Sequence, residues 1–219
     1  MAITHEQLGH HPTEFSSFAP MGEAAGGVAV VVLAILGLAN VAPQTLVSVA
    51  VIVVGAALLM QAAVQSAEFA RMVAATETGE VAVADLTGGV TVEYLAGSAG
   101  IVLGILALLG IASMTLLAVA LIVFGAVMLI NCGVNSHVTG YRVGGSAVEG
   151  ALQAMARQAT VAVAGARALI GVAAIVLGIL ALVNIRPEIL VLVGLLIIGG
   201  ALLLAGSAVA GPTALAFRR

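Results

Sequence analysis

Long apolar stretches dominate this chain, and its polar residues are gathered in the gaps between them. No Asp, Glu, Lys, Arg or His lies between Glu23 and Glu68, His137 alone interrupts Tyr94–Tyr141, and none lies between Arg167 and Arg186 or between Glu188 and Arg218. Each of the first two intervals is long enough for two segments of about 20 residues, the length that crosses roughly 30 Å of hydrocarbon as an α-helix. The polar Arg186-Pro187-Glu188 step divides the last stretch into two more. The pattern predicts six membrane helices over about 24–42, 44–65, 94–112, 114–135, 168–185 and 188–209. A β-barrel is a poor match, because a barrel strand alternates polar and apolar residues whereas these runs are continuous, and a lipid-exposed helix closes its own backbone hydrogen bonds.

The pattern also repeats. Segments 31–60, 101–130 and 175–204 align without gaps, the first two agreeing at 15 of 30 positions and the last two at 14 of 30. Residues 101–108 and 175–182 both read Ile-Val-Leu-Gly-Ile-Leu-Ala-Leu. Self-similarity of this kind marks a unit used more than once. Each copy reads as a helical hairpin turning at Asn40-Val41-Ala42-Pro43, Gly110-Ile111-Ala112-Ser113 or Asn184-Ile185-Arg186-Pro187. Pro43 and Pro187 suit the first turn of a returning helix, where no intrahelical partner for an N–H is required, and Asn40 and Asn184 suit a helix end. Gly55, Gly125 and Gly199 recur at one level of the returning helices, and Gly100 and Gly104 form a small-xxx-small pair. Lipid offers no hydrophobic drive for helix association, so these glycines are expected at close helix contacts, chiefly inside the monomer.

The expected organisation is an N-terminal tail (1–22), hairpin repeats at 23–66, 93–136 and 167–210, connectors at 67–92 and 137–166, and a C-terminal tail (211–219). Within the second connector, Val148, Leu152 and Met155 fall at helical spacing, with Glu149, Gln153, Arg157 and Gln158 elsewhere. That spacing predicts a short amphipathic helix over 147–159 on the membrane surface. In the first connector, residues 66–75 continue the second helix until Thr78-Gly79 breaks it.

Composition agrees with the pattern: 62% hydrophobic, 8% charged and a mean hydropathy of +1.25 leave too little polar surface for a water-soluble globule. The fold class is therefore an all-α integral membrane protein. Orientation rests on arginine, as the chain has no lysine. Arg71, Arg142, Arg157, Arg167, Arg218 and Arg219 share the side of the termini and connectors, against Arg186 on the other. The positive-inside rule puts both termini and both connectors in the cytoplasm. Residues 1–22 carry no Lys or Arg, so the first span is expected to stay uncleaved.

Candidate chemistry is sparse. Repeat alignment makes Glu23, Glu93 and Arg167 equivalent, each just before an odd-numbered span, and makes Gln61 equivalent to Asn131 near the inner ends of the second and fourth spans, with Gln65 and Asn135 one turn further on. The third repeat has Ala205 and Val209 there. A carboxylate at a helix N-terminus is favoured by the helix dipole and stays hydrated at headgroup level. Arg167 pairing with Glu23 or Glu93 in a closed bundle is the sharper alternative, weighed below separate solvated charges because exposed ion pairs contribute little. His5, Glu6, His10 and His11 show no ligand spacing for a metal, His137 reads as an interface residue, and single Cys132 excludes an intrachain disulfide. Phosphate loops, nucleophile elbows and metalloprotease motifs are absent from the sequence. The expectation is a non-enzyme without cofactor or bound metal. Its partners are the lipid bilayer and either copies of itself or other membrane subunits, and not nucleic acid.

Triple apolar hairpins with the Ile-Val-Leu-Gly-Ile-Leu-Ala-Leu run, an Asn- or Pro-bearing turn and a glycine in the returning helix resemble the HdeD family of bacterial membrane proteins, over about residues 24–209. The resemblance implies the bacterial inner membrane and a short repeat without catalytic residues, in a family associated with acid resistance. On that basis the expected role is a non-catalytic scaffold or a stress-associated component, with a small pore or transporter between the repeats as the alternative.

Overall fold

The computed structural model describes the backbone of residues 15–75, 80–138 and 147–216, and the side chains of 24–67, 91–131 and 165–204. The described residues form six α-helices in a bundle: α1 (Phe15–Leu38), α2 (Pro43–Ala75), α3 (Glu80–Leu108), α4 (Ser113–Val138), α5 (Ala147–Leu182) and α6 (Pro187–Ala216). Among the described residues, five helices are long and apolar enough to cross a membrane, at Pro43–Ala67, Thr91–Leu108, Ser113–Asn131, Gly165–Leu182 and Pro187–Leu204. Among the described residues the apolar part of α1 is shorter, Ala24–Leu38.

Helix claims more of the chain than the apolar pattern alone assigns to it. α2 runs to Ala75, as its sequence leads one to expect, whereas α3 already starts at Glu80 and residues 147–159 are the first part of a continuous α5. The physical reason is local. Ala, Val, Glu, Gln, Arg and Met in these segments are compatible with helix, and a helix already nucleated in an apolar span propagates through them more easily than a new one starts.

The three tight turns share one geometry. Asn40, Gly110 and Asn184 take left-handed φ of 64°, 81° and 67°. Around the first, the Asn40 N–H donates to Gly37 O (3.0 Å) and the Val41 N–H to Leu36 O (3.2 Å); Gly110 to Ala107 with Ile111 to Leu106, and Asn184 to Ala181 with Ile185 to Leu180, repeat the pattern. This double closure satisfies carbonyls that the ending helix leaves open, and the left-handed residue at its centre is Gly or Asn because those side chains tolerate that region. Two residues on, Ala42, Ala112 and Arg186 take φ of 44°, 42° and 44°. Ala112 precedes serine rather than proline, so the turn and not the proline sets this conformation. The carbonyls of these three residues accept the first helical bonds of α2, α4 and α6, from Leu46, Leu116 and Leu190.

Each helix packs against its chain neighbour, and α6 returns to α1, so the bundle closes on itself. The most extensive contacts are α2 with α3, α4 with α5 and α1 with α6, while α2, α4 and α6 meet one another in the middle. The core comes mainly from those three helices: Val47, Val51 and Val54 from α2, Leu117, Leu121 and Phe124 from α4, and Leu192, Leu195, Ile198 and Leu202 from α6 are all buried. Their spacing of three and four residues turns one face of each helix to the centre. Helices α1, α3 and α5 bury mostly small residues, such as Ala34, Ala96, Ala107, Ala174 and Ala181, and expose Val32, Ile35, Val102, Ile105, Val176 and Ile179. A continuous apolar exterior of this kind fits acyl chains and not water.

Candidate functional site

Small residues decide how closely the helices approach. A Cβ added to Gly55 would lie 2.7 Å from the Gly97 carbonyl oxygen, and one added to Gly125 would lie 2.6 Å from that of Gly171. One added to Gly27 would lie 2.7 Å from the Leu203 nitrogen and 3.0 Å from the Gly199 oxygen. These three crossings bring α2 onto α3, α4 onto α5 and α6 onto α1 at backbone contact, which leaves no room for a side chain. Gly199 itself meets Val30 Cγ1 at 2.9 Å, Gly104 faces Ile52 Cγ1 at 2.5 Å, and Gly100 faces the ring of Phe124. All five glycines singled out in the sequence thus sit against a neighbouring helix within the chain. Gly27, Gly97, Gly171 and Gly178 make equivalent contacts and went unnoticed. The first three lie four residues before the aligned segments 31–60, 101–130 and 175–204, so extending that alignment towards the N-terminus would have found them.

The polar residues converge at the other functional feature, a pocket of about 10 Å³ between α2, α4 and α6. Gln61 from α2, Glu93 from α3, Asn131 from α4 and Arg167 from α5 line it, together with Leu58, Val127, Met128, Ala201 and Leu202. Glu93, on α3, is 2% exposed. Its Oε1 accepts a hydrogen bond from Asn131 Nδ2, and its Oε2 is also buried. Glu93 is therefore not the separate solvated charge that its position before a span suggested. The close α3–α2 and α3–α4 packing withdraws it from water and delivers it to an amide. Gln61, Asn131 and Arg167 are half-buried around it. Glu23, the equivalent of Glu93 in the first repeat, lies in α1, and its side chain is outside the described residues, as are those of Asn135, Ala205 and Val209.

This arrangement has limited chemical capacity. About 10 Å³ is close to the smallest volume that holds one water molecule, and organic substrates need pockets of hundreds of Å³. Among the described residues no group of three or more His, Cys, Asp or Glu could hold a metal ion. His5, Glu6, His10 and His11 lie outside the described residues, and so do the side chains of Cys132 and His137. What the cluster does offer is charge-assisted hydrogen bonding between helices, which is stronger than its neutral counterpart in a medium of low dielectric constant.

A second polar contact lies at the opposite end of the bundle. Gln44 Nε2 donates to Ser113 Oγ, joining the first turns of α2 and α4. Buried Ser48 donates to the Gln44 carbonyl oxygen at 2.9 Å, so its hydroxyl is satisfied within α2. Gln44 and Ser113 tie two turns together at the surface.

No family model matches this chain, and neither the curated proteins nor the solved structures contain a match to it.

Proposed function

We propose that this chain is a non-catalytic, multi-pass protein of the bacterial inner membrane, built from three related helical hairpins and acting as a scaffold or stress-associated component. The reading keeps the HdeD-like resemblance as its guide to origin and the arginine asymmetry as its guide to orientation, with both termini in the cytoplasm. One observation carries the functional part: the middle of the bundle, where α2, α4 and α6 meet, is filled by buried Leu, Val, Ile and Phe side chains. An ion crossing the bilayer needs polar partners along its path, and a charge at the centre costs at least about 2.5–3.5 kcal/mol even on lenient insertion scales. Glu93, Gln61, Asn131 and Arg167 are gathered around one small pocket rather than along that apolar centre. A scaffold instead needs a rigid body with defined faces. Direct backbone contacts at three helix crossings give that rigidity.

Purified protein reconstituted in liposomes tests the reading. Proton, potassium and chloride flux should equal that of empty vesicles. A reproducible flux abolished by Gln61→Leu or Asn131→Leu would replace the scaffold with a small pore whose mouth is the polar cluster.

A further inference from the structure

The three glycine crossings are similar. Gly55 on Gly97, Gly125 on Gly171 and Gly199 on Gly27 occupy equivalent repeat positions; the first two pairs approach each other's carbonyl oxygens reciprocally, and in the third a Cβ on Gly27 meets Leu203 N and Gly199 O while one on Gly199 meets the Val30 and Val31 side chains. Packing of that kind does not distinguish one hairpin from another, or a hairpin of the same chain from one belonging to a second copy, and exchange of identical elements between copies is a low-cost route to unwanted assemblies. The polar pocket is where the hairpins differ. Equivalent positions carry Glu93 and Arg167, opposite in charge, and both line the same small cavity beside Asn131.

We propose that Arg167 is the counter-charge of buried Glu93, and that this pairing holds the third hairpin in its place within its own chain. The proposal rests on the three-hairpin reading above. A second hairpin seated where the third belongs brings a glutamate to the pocket in place of the arginine. Two carboxylates then share a cavity shielded from water, where like charges repel strongly and a buried charge without its complement destabilises the packed state. Among the described residues, the intramolecular arrangement sets one acid and one base on the wall of the same cavity, with the Asn131 amide already bonded to the acid. The polar cluster thereby supplies the discrimination that the glycine contacts lack, a use of buried charge pairs attested elsewhere as control of register and assembly state.

The test compares the full chain with R167E, E93Q and E93Q/R167E in mild detergent, by native mass and thermal unfolding. R167E should move at least half of the protein from the parental mass into larger or mixed assemblies. E93Q/R167E, which removes one of the two clashing carboxylates, should return most of it to the parental mass. If R167E yields no folded protein, recovery of folded protein at the parental mass in E93Q/R167E is the supporting result. An unchanged mass distribution in R167E overturns the proposal whatever happens to its melting temperature, and so does a double variant no better than R167E. Liposome flux is scored separately, so a conducting protein would sink the scaffold reading without touching this one.

Discussion

Gly55 and Gly97 face each other across the α2–α3 crossing so closely that a Cβ on either would lie 2.7 Å from the carbonyl oxygen of the other. Real Cβ atoms do not approach carbonyl oxygens this closely, so a larger residue forces two backbones apart. In lipid the loss is felt directly, because van der Waals packing is the main force holding such helices together. Gly55→Leu, Gly125→Leu and Gly199→Leu are expected to lower thermal stability in detergent far more than Leu129→Ala. Even Gly55→Ala should cost about 1–3 kcal/mol, the range for overpacking a filled interior. Gly165 has nothing within 4 Å of its added Cβ, so Gly165→Ala should be neutral or stabilising by up to about 1 kcal/mol through helix propensity. Equal melting temperatures for the Gly55 and Gly165 variants would contradict the crossing geometry.

Asn131 is the amide donor to buried Glu93. Asn131→Leu leaves the carboxylate without that bond, and a lost bond to a buried polar group costs about 1–3 kcal/mol, more when the group is charged. Gln44→Ala removes a hydrogen bond between exposed side chains and should change stability by less than about 0.5 kcal/mol. Thermal or denaturant unfolding of the two variants side by side measures the contrast.

The left-handed residues at the turns make a separate test. Gly110 has φ 81° and Asn184 has φ 67°. Gly110→Val places a β-branched side chain in that region and should destabilise by at least about 1–2 kcal/mol, whereas Asn184→Gly should be close to neutral. A Gly110→Val protein that melts like the parent would mean that the turn re-forms in another geometry.

Topology is open to chemical labelling in a Cys132→Ala background. Cysteine at Thr78, in the first connector on the arginine-rich side, should react with an impermeant reagent only after cells are opened. Cysteine at Val41 or Ile111, in the exposed turns, should react in intact cells. The opposite pattern at both sets of sites would invert the orientation.

Much of the helical content was legible along the chain because its cause is local. A continuous apolar run in lipid must satisfy its own backbone, and only a helix does so within one segment. The turns were legible for the same reason: Asn40, Gly110 and Asn184 are the residue types that accept a positive φ, and Pro43 and Pro187 begin helices well. Helix ends were less so. Residues 147–159 look like an independent amphipathic piece when read for periodicity, yet α5 propagates through them from an apolar span that periodicity treats as separate.

Gly55, Gly125 and Gly199 announced close contacts from their recurrence, but recurrence does not name a partner. That Gly55 meets Gly97, and that α6 closes onto α1 through Gly27, depends on how the hairpins arrange themselves around α2, α4 and α6. The polar residues make the same distinction more sharply. From its place before an apolar span, Glu93 is indistinguishable from any hydrated interface carboxylate, since the sequence registers only distance along one helix. Burial depends on what four other helices put around it. The amino-acid order is sufficient to specify which segments are helical and where they turn, because those outcomes follow from each segment's own backbone and solvent. It took the assembled bundle to bring Gln61, Glu93, Asn131 and Arg167 into one cavity, because their meeting depends on packing between residues as far apart in the chain as 61 and 167.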